Sequence, residues 1–238
     1  MTQSKQQSVA IVTGASRGFG SAVTAALLGR GWTVVGDARR ASELESTVRK
    51  LNSINFIAVP GDVTDASHRA ELVAAARDVG PLGLLVNNAS RLGPSPQPVI
   101  ADYPASELWT VYQTNLFAPL ALIQAALPAL ADNAGVIVNL TSDAAVEPYP
   151  GWGGYGSSKA ALDQLSAVLA AEVPAVAVYA FDPGDMRTEM HQAAFPGEDI
   201  SDRAEPESVV PALLRLLDTR PAPGRYRAAE LSLSGAPR

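Results

Sequence analysis

The sequence of 238 residues contains no cysteine and only two histidines. Without thiols there are no disulfides, no cysteine nucleophile and no thiolate metal site. His68 and His191 stand far apart, with no HxH or HxxxH spacing, so no metal centre is expected. A basic block is also missing. The 18 Lys and Arg are outnumbered by 24 Asp and Glu, for a formal net charge of −6. That balance points away from nucleic acid and anionic membrane as partners. The opening residues, MTQSKQQ, hold no long apolar run before a small-residue cleavage site, so no signal peptide is expected. One long stretch, residues 108–131, lacks charge. It carries Gln113, Asn115, Gln124, Pro119 and Pro128, which suit a buried helix better than a membrane span. A soluble cytoplasmic protein is the expectation.

What is present is core material. Apolar residues make up 47% and charged residues 18%, the composition of a globular chain. Short β-branched runs alternate with alanine-rich helical segments. Residues 8–13, 32–36, 54–60, 83–87, 135–140 and 175–181 read as buried strands. Helical patterns follow the first strand up to the glycines at 29–31, and fill 41–52, 66–79, 104–131, 153–173 and 207–218. Alternation at this spacing predicts right-handed crossovers and one parallel sheet covered on both faces. No composition break marks a second domain, so 1–238 reads as one unit. Residues 185–206 are polar and lack a period. Residues 226–233 read as a last strand, and SGAPR as a frayed tail.

Two places carry chemistry. Gly14, Gly18 and Gly20 sit between the first strand and the first helix. Glycines there permit a tight turn and let backbone N–H groups approach a pyrophosphate at the helix N-terminus. The other place is SDAAVEPYPGWGGYGSSK. Tyr155 and Lys159 are four residues apart, hence on one helical face, and Ser142 lies at the end of a buried strand. A strand end and a helix start bring a hydroxyl, a phenol and an ammonium to one site. Reducing a carbonyl builds negative charge on oxygen, which needs a proton donor and a second hydrogen bond. Tyrosine, with an ordinary pKa of about 10, serves poorly alone, and a cation one turn away lowers that value.

The segment TGASRGFG resembles the cofactor motif of the short-chain dehydrogenase/reductase family, in its compact single-domain branch. The resemblance runs over roughly residues 8–190. Asp62-Val63 resembles the family's adenine-side acidic pair. Asn87-Asn88-Ala89-Ser90 resembles NNAG, with Ser90 in place of glycine. Asn115, Ser142, Tyr155 and Lys159 match the family's helix asparagine, serine and YxxxK. Pro183-Gly184 and Thr188 match the PG…T segment beside the nicotinamide. The implied fold is a Rossmann-like, doubly wound α/β sheet of about seven strands. The implied cofactor contacts are Gly14, Ser16, Arg17, Gly18, Phe19, Gly20, Asp62, Val63, Asn88, Ala89, Tyr155, Lys159, Pro183, Gly184 and Thr188.

The second strand end bears on NAD against NADP. A carboxylate there favours NAD and an arginine NADP. Counted from the loop, the family's NAD-selecting acid falls on Ala38, not Asp37, and its NADP-selecting arginine on Arg39, with Arg17 as a second phosphate contact. NADP(H) is the expected cofactor, NAD(H) the alternative. The resemblance assigns Tyr155 as general acid/base, Lys159 as its modulator and ribose contact, Ser142 as partner of the substrate oxygen and Asn115 as holder of a relay water. Asp143 is expected to face away, by strand alternation. Met186, Met190 and Phe195 in a lid at about 185–206, near the residues around Trp152, either meet a partly apolar carbonyl or alcohol substrate or pack on the core without touching a ligand. Gly83, the short EVPAV turn and the unmatched C-terminal segment depart from the family pattern. Small-residue-rich helices suggest a homodimer or homotetramer. A catalytically silent NADPH-binding regulator is the rival reading. A sugar-nucleotide epimerase or dehydratase needs a larger C-terminal domain than the 55 residues after Pro183 supply.

Overall fold

The computed structural model describes residues 8–233, and the N-terminal heptapeptide and the SGAPR tail lie outside the described residues. Among the described residues, seven strands form one sheet in the order β3-β2-β1-β4-β5-β6-β7, every pair parallel. They are β1 (Val9–Val12), β2 (Thr33–Ala38), β3 (Phe56–Pro60), β4 (Leu82–Asn87), β5 (Val136–Leu140), β6 (Ala177–Asp182) and β7 (Gly224–Arg227). Between them run α1 (Gly18–Gly29), α2 (Ala41–Leu51), α3 (Ala66–Val79), α4 (Ala105–Tyr112), α5 (Ala118–Asp132), α6 (Gly153–Glu172), α7 (Glu189–Ala194), α8 (Pro206–Thr219) and α9 (Ala228–Leu233).

The continuous apolar runs follow from burial on both faces. In β1, Ala10 and Val12 join the cluster under α1 and α8, while Val9 and Ile11 join the cluster under α3 and α5. Strand alternation thus divides one run between two cores. Fully buried side chains such as Leu27, Leu85 and Leu122 each contribute about 2 kcal/mol by leaving water. The apolar helix over residues 105–132 is long enough to cross a membrane by length and composition. In the fold its Leu122, Ile123, Ala126 and Leu130 pack against the sheet. A π turn, Gln113–Phe117, divides that helix into α4 and α5.

The C-terminal expectation needs correction. Residues 224–227, not 226–233, form the last strand, and 228–233 are helical. The helix wins because Ala228 and Leu231, three apart, both bury against the α8 side of the core. The lid also contains a short helix, α7, where no period was evident. Thr188 caps it by accepting a hydrogen bond from the His191 N–H at 3.2 Å.

Strand order reverses at β1 and β4. A crevice opens there beyond their C-terminal ends, the place where open α/β sheets take ligands.

Candidate active site

The crevice is a cleft of about 1000 Å³, running from the glycine loop to Tyr155 and Lys159. Gly14 and Gly18 have φ of +67° and +52°, which side chains disfavour. Gly20 is required for another reason. A Cβ there would stand 2.2 Å from the Gly14 carbonyl oxygen and 2.4 Å from Asn88 Nδ2. Asn88 ties the loop down by donating from Nδ2 to the Thr13 carbonyl at 2.8 Å, and Thr13 Oγ1 accepts from the Asn88 and Ala89 N–H groups, both at 3.0 Å. This cradle of main chain at the N-terminus of α1 suits a pyrophosphate. Ser16, Arg17, Gly18, Phe19, Arg39, Asp62, Val63, Asn88, Ala89, Pro183 and Thr188 all line the cleft. Gly20 stands behind the loop, and Gly184 adopts a φ of +73° in the turn after β6.

Asp37 is not offered to a ribose. It is 1% exposed, and its Oδ1 accepts from the Gly14 N–H at 2.7 Å. Its Oδ2 meets His68 Nε2 at 3.0 Å. Burial raises its carboxyl above the ordinary range, against the opposing pull of His68 and the Gly14 N–H. Arg39 is exposed on the cleft, Arg40 pairs with Glu43 at 2.6 Å, and Arg17 pairs with Glu189 of the lid.

At the inner end, Tyr155 and Lys159 are 8% and 2% exposed. Lys159 Nζ lies 5.5 Å from the centre of the Tyr155 ring and donates to the Leu140 carbonyl at 2.7 Å. Burial pushes the lysine down to about 8, opposed by Asp163. The expectation that Lys159 lowers Tyr155 is not met by the protein alone. Burial raises the phenol, its hydrogen bond with Ser90 opposes this, and Asp182 and Asp143 raise it further. Ser90, where the family has glycine, is therefore a contact that motif matching passed over.

Ser142 follows β5 and is brought against α6. The Ala144 carbonyl reaches so close to Gly156 that a Cβ there would stand 2.4 Å away, and Ala144 packs on Tyr155. Asp143 does not face away. Its Oδ1 accepts from Ser142 Oγ at 2.9 Å and its Oδ2 from Tyr149 Oη at 3.0 Å. Strand alternation had already ended, since Asp143 opens a 3-10 turn, Asp143–Ala145.

Asn115 sits in the π turn, fully buried. Its Oδ1 accepts from the Arg91 N–H at 2.8 Å and Ser90 Oγ at 3.2 Å, and its Nδ2 donates to the Arg91 carbonyl and Ser158 Oγ, both at 2.9 Å. The amide is saturated by protein partners. It clamps the loop after β4 to α6, which leaves its side chain no group free for the expected relay water.

The lid lies on the site. Met190 and Ala194 pack around Leu92, Ala144 and Tyr155, and Met186 lines the cleft. An aromatic row leads outward from Tyr155 to Trp152 and then Phe195, each step 5.8 Å between ring centres.

A family model described as short chain dehydrogenase matches residues 8–199. The chain belongs to the short-chain dehydrogenase family of oxidoreductases. A serine 3-dehydrogenase from Rhizobium radiobacter is 36% identical over 183 residues, covering 75% of this chain and 72% of that protein. A sepiapterin reductase from Mus musculus is 34% identical over 201 residues, covering 78% and 77%. Among solved structures, an alcohol dehydrogenase from the archaeon Thermococcus sibiricus, complexed with 5-hydroxy-NADP, superposes with a TM-score of 0.83 at 25% identity, covering 93% of this chain and 95% of that one. The short-chain dehydrogenase match ends before α8, β7 and α9; of these, α8 lies where a helix was expected at 207–218, and the departure is confined to β7 and α9.

Proposed function

We propose that this short-chain dehydrogenase is an NADP(H)-dependent oxidoreductase that interconverts a ketone or aldehyde and an alcohol, with Tyr155 as general acid/base. The observation that carries the reading is the burial of Tyr155 and Lys159 on one face of α6, at the inner end of a cleft that begins at the glycine loop. The dinucleotide, when bound in the cleft, would supply or accept the hydride, and its oxidised form would add a positive charge to the site. The glycine cradle fits its pyrophosphate, and Arg39 with Arg17 fits a 2′-phosphate. The burial of Asp37 supports NADP(H) over NAD(H), because the one carboxylate of that strand end is engaged with Gly14 and His68. The 5-hydroxy-NADP in the Thermococcus sibiricus structure agrees.

Tyr155 gives its proton to the substrate oxygen as the hydride arrives. The Ser142 hydroxyl turns from Asp143 to hold that oxygen. Lys159, with its pKa near 8, stays charged at neutral pH and helps stabilise the phenolate left behind. Asn115 keeps the Ser90–Arg91 loop against α6. The two curated relatives are named for unlike substrates, serine and sepiapterin, and so do not select one. Met190, Trp152 and Phe195 support a partly apolar carbonyl compound. Exposed Trp109, Phe117 and Val168 on α4, the π turn and α6 support a homodimer or homotetramer.

The test is a carbonyl panel followed at the NADPH absorbance, beside the same panel with NADH. Activity with NADPH, a loss of roughly a hundredfold or more in Tyr155→Phe with the fold intact, and poorer turnover with NADH are expected. Near-parental turnover in the phenylalanine variant ends this reading.

A further inference from the structure

We propose that Arg225, in the closing strand β7, is a positioning residue for the hydride-transfer site, holding three of its parts at once. This rests on the function proposed above. Arg225 Nη2 donates to the Ser142 carbonyl at 3.0 Å and to Asp182 Oδ2 at 2.8 Å, while its Nε donates to Asp163 Oδ2 at 3.1 Å. Each acceptor belongs to a different functional part. Ser142 is the proposed partner of the substrate oxygen. Asp182 ends β6, and its other oxygen accepts from the Gly184 N–H at 3.0 Å, which sets the turn that carries Pro183 in the cleft wall. Asp163 lies one helical turn beyond Lys159 on α6 and raises the pKa of that lysine.

One planar guanidinium thus fixes the serine turn, the Pro183-Gly184 turn and the lysine helix relative to one another. Lysine lacks the fork for this. The arrangement is enclosed, with the Arg225, Asp163 and Asp182 side chains 25%, 16% and 3% exposed. Arg225 is not among the residues that line the cleft, so it acts through its three acceptors. It also lies beyond residues 8–199, the stretch that carries the family pattern.

The charges make the role readable. Tyr155 and Lys159 are faced by Asp143 from the serine turn, Asp163 from α6 and Asp182 from β6, with the uncharged Ser90 hydroxyl beside the phenol. Arg225 offsets Asp163 and Asp182, and Arg227 adds a distant contact to Asp182 at 3.8 Å. Without the guanidinium, Asp182 keeps only the distant Arg227 as a cation and acts more strongly on the phenol, and Asp163 turns to Lys159. Both effects hold protons on the pair.

The experiment compares Arg225→Met, Arg225→Lys and Tyr155→Phe with the parent. Folding is read by circular dichroism and thermal melting, and turnover by the pH profile of alcohol oxidation with NADP. In Arg225→Met the pH at which oxidation rises moves up by about one unit. Its kcat falls roughly tenfold to a hundredfold, while the KM for NADP stays within about threefold. Arg225→Lys keeps the profile in place and loses part of kcat. A merely structural ion pair lowers the melting temperature and leaves the profile unmoved, and that result in Arg225→Met overturns the proposal. If Arg225→Met does not fold, Arg225→Lys decides, and parental kcat in the folded lysine variant overturns it equally. The two failures stay apart, because an active Tyr155→Phe sinks the function, whereas an inactive one beside an unmoved Arg225→Met sinks only Arg225.

Discussion

At the glycine-loop end of the cleft the wall is main chain, whereas at the lid end it is side chain. Around Gly14 and Gly20 the geometry is set by carbonyl and N–H groups locked by Thr13, Asp37 and Asn88, and a single added Cβ collides. Around α7 the contacts are Met190 and Phe195 on neighbouring side chains, plus the ion pairs Arg17–Glu189 and Arg187–Glu205 near the surface. A main-chain wall tolerates few residue types, so it recurs as a motif. A side-chain wall tolerates many, so one backbone serves many substrates.

That contrast is broken most directly at Gly20. In Gly20→Val the side chain has no room, and NADPH affinity is expected to fall by roughly a hundredfold or more, read by fluorescence titration. Met190→Ala is the counterpart at the lid end. It should leave NADPH affinity within about threefold and change the substrate KM. Equal loss at both ends would erase the distinction. Lys159 links the two ends, and its depressed pKa gives a sign. It is charged below about pH 8 and neutral above. Carbonyl reduction should therefore decline as pH rises through that value, approaching roughly tenfold per unit. A profile that is flat to strongly alkaline pH contradicts it. Arg39→Ala should raise the KM for NADPH roughly tenfold and leave that for NADH unmoved, which kinetics with both cofactors would check. The smallest effect is expected at the lid. The Arg17 and Glu189 side chains are 47% and 74% exposed, so Glu189→Gln should change NADPH KM by less than about threefold.

Much of this was legible from residues alone. The first strand, expected at 8–13 and found at Val9–Val12, the helix at 66–79 and the glycine turn are written in local rules of periodicity and φ. The juxtaposition of Tyr155 and Lys159 was legible because helical spacing is local too. The parts that escaped depend on surroundings. Gly224-Arg225-Tyr226-Arg227 shows no apolar alternation because β7 is an edge strand with one neighbour, β6. Asp143 was read by a rule that holds only inside a strand. The charge balance at Tyr155 turns on how deeply the phenol is buried and on Asp182, a residue 27 positions away. No spacing in the chain announces either.

The π turn at Gln113–Phe117 acts as a phase shifter. It accommodates an additional residue within one helical turn. Deleting one residue there would restore a regular helix, but everything after the deletion would rotate by about 100°. Either Asn115 would leave Arg91 and Ser158, or Leu122 and Ile123 would leave the sheet. A single-residue deletion scan across residues 113–117 should thus be harsher than substitutions at the same positions. Chain length, as well as residue identity, is held constant there by two surfaces that must face different neighbours.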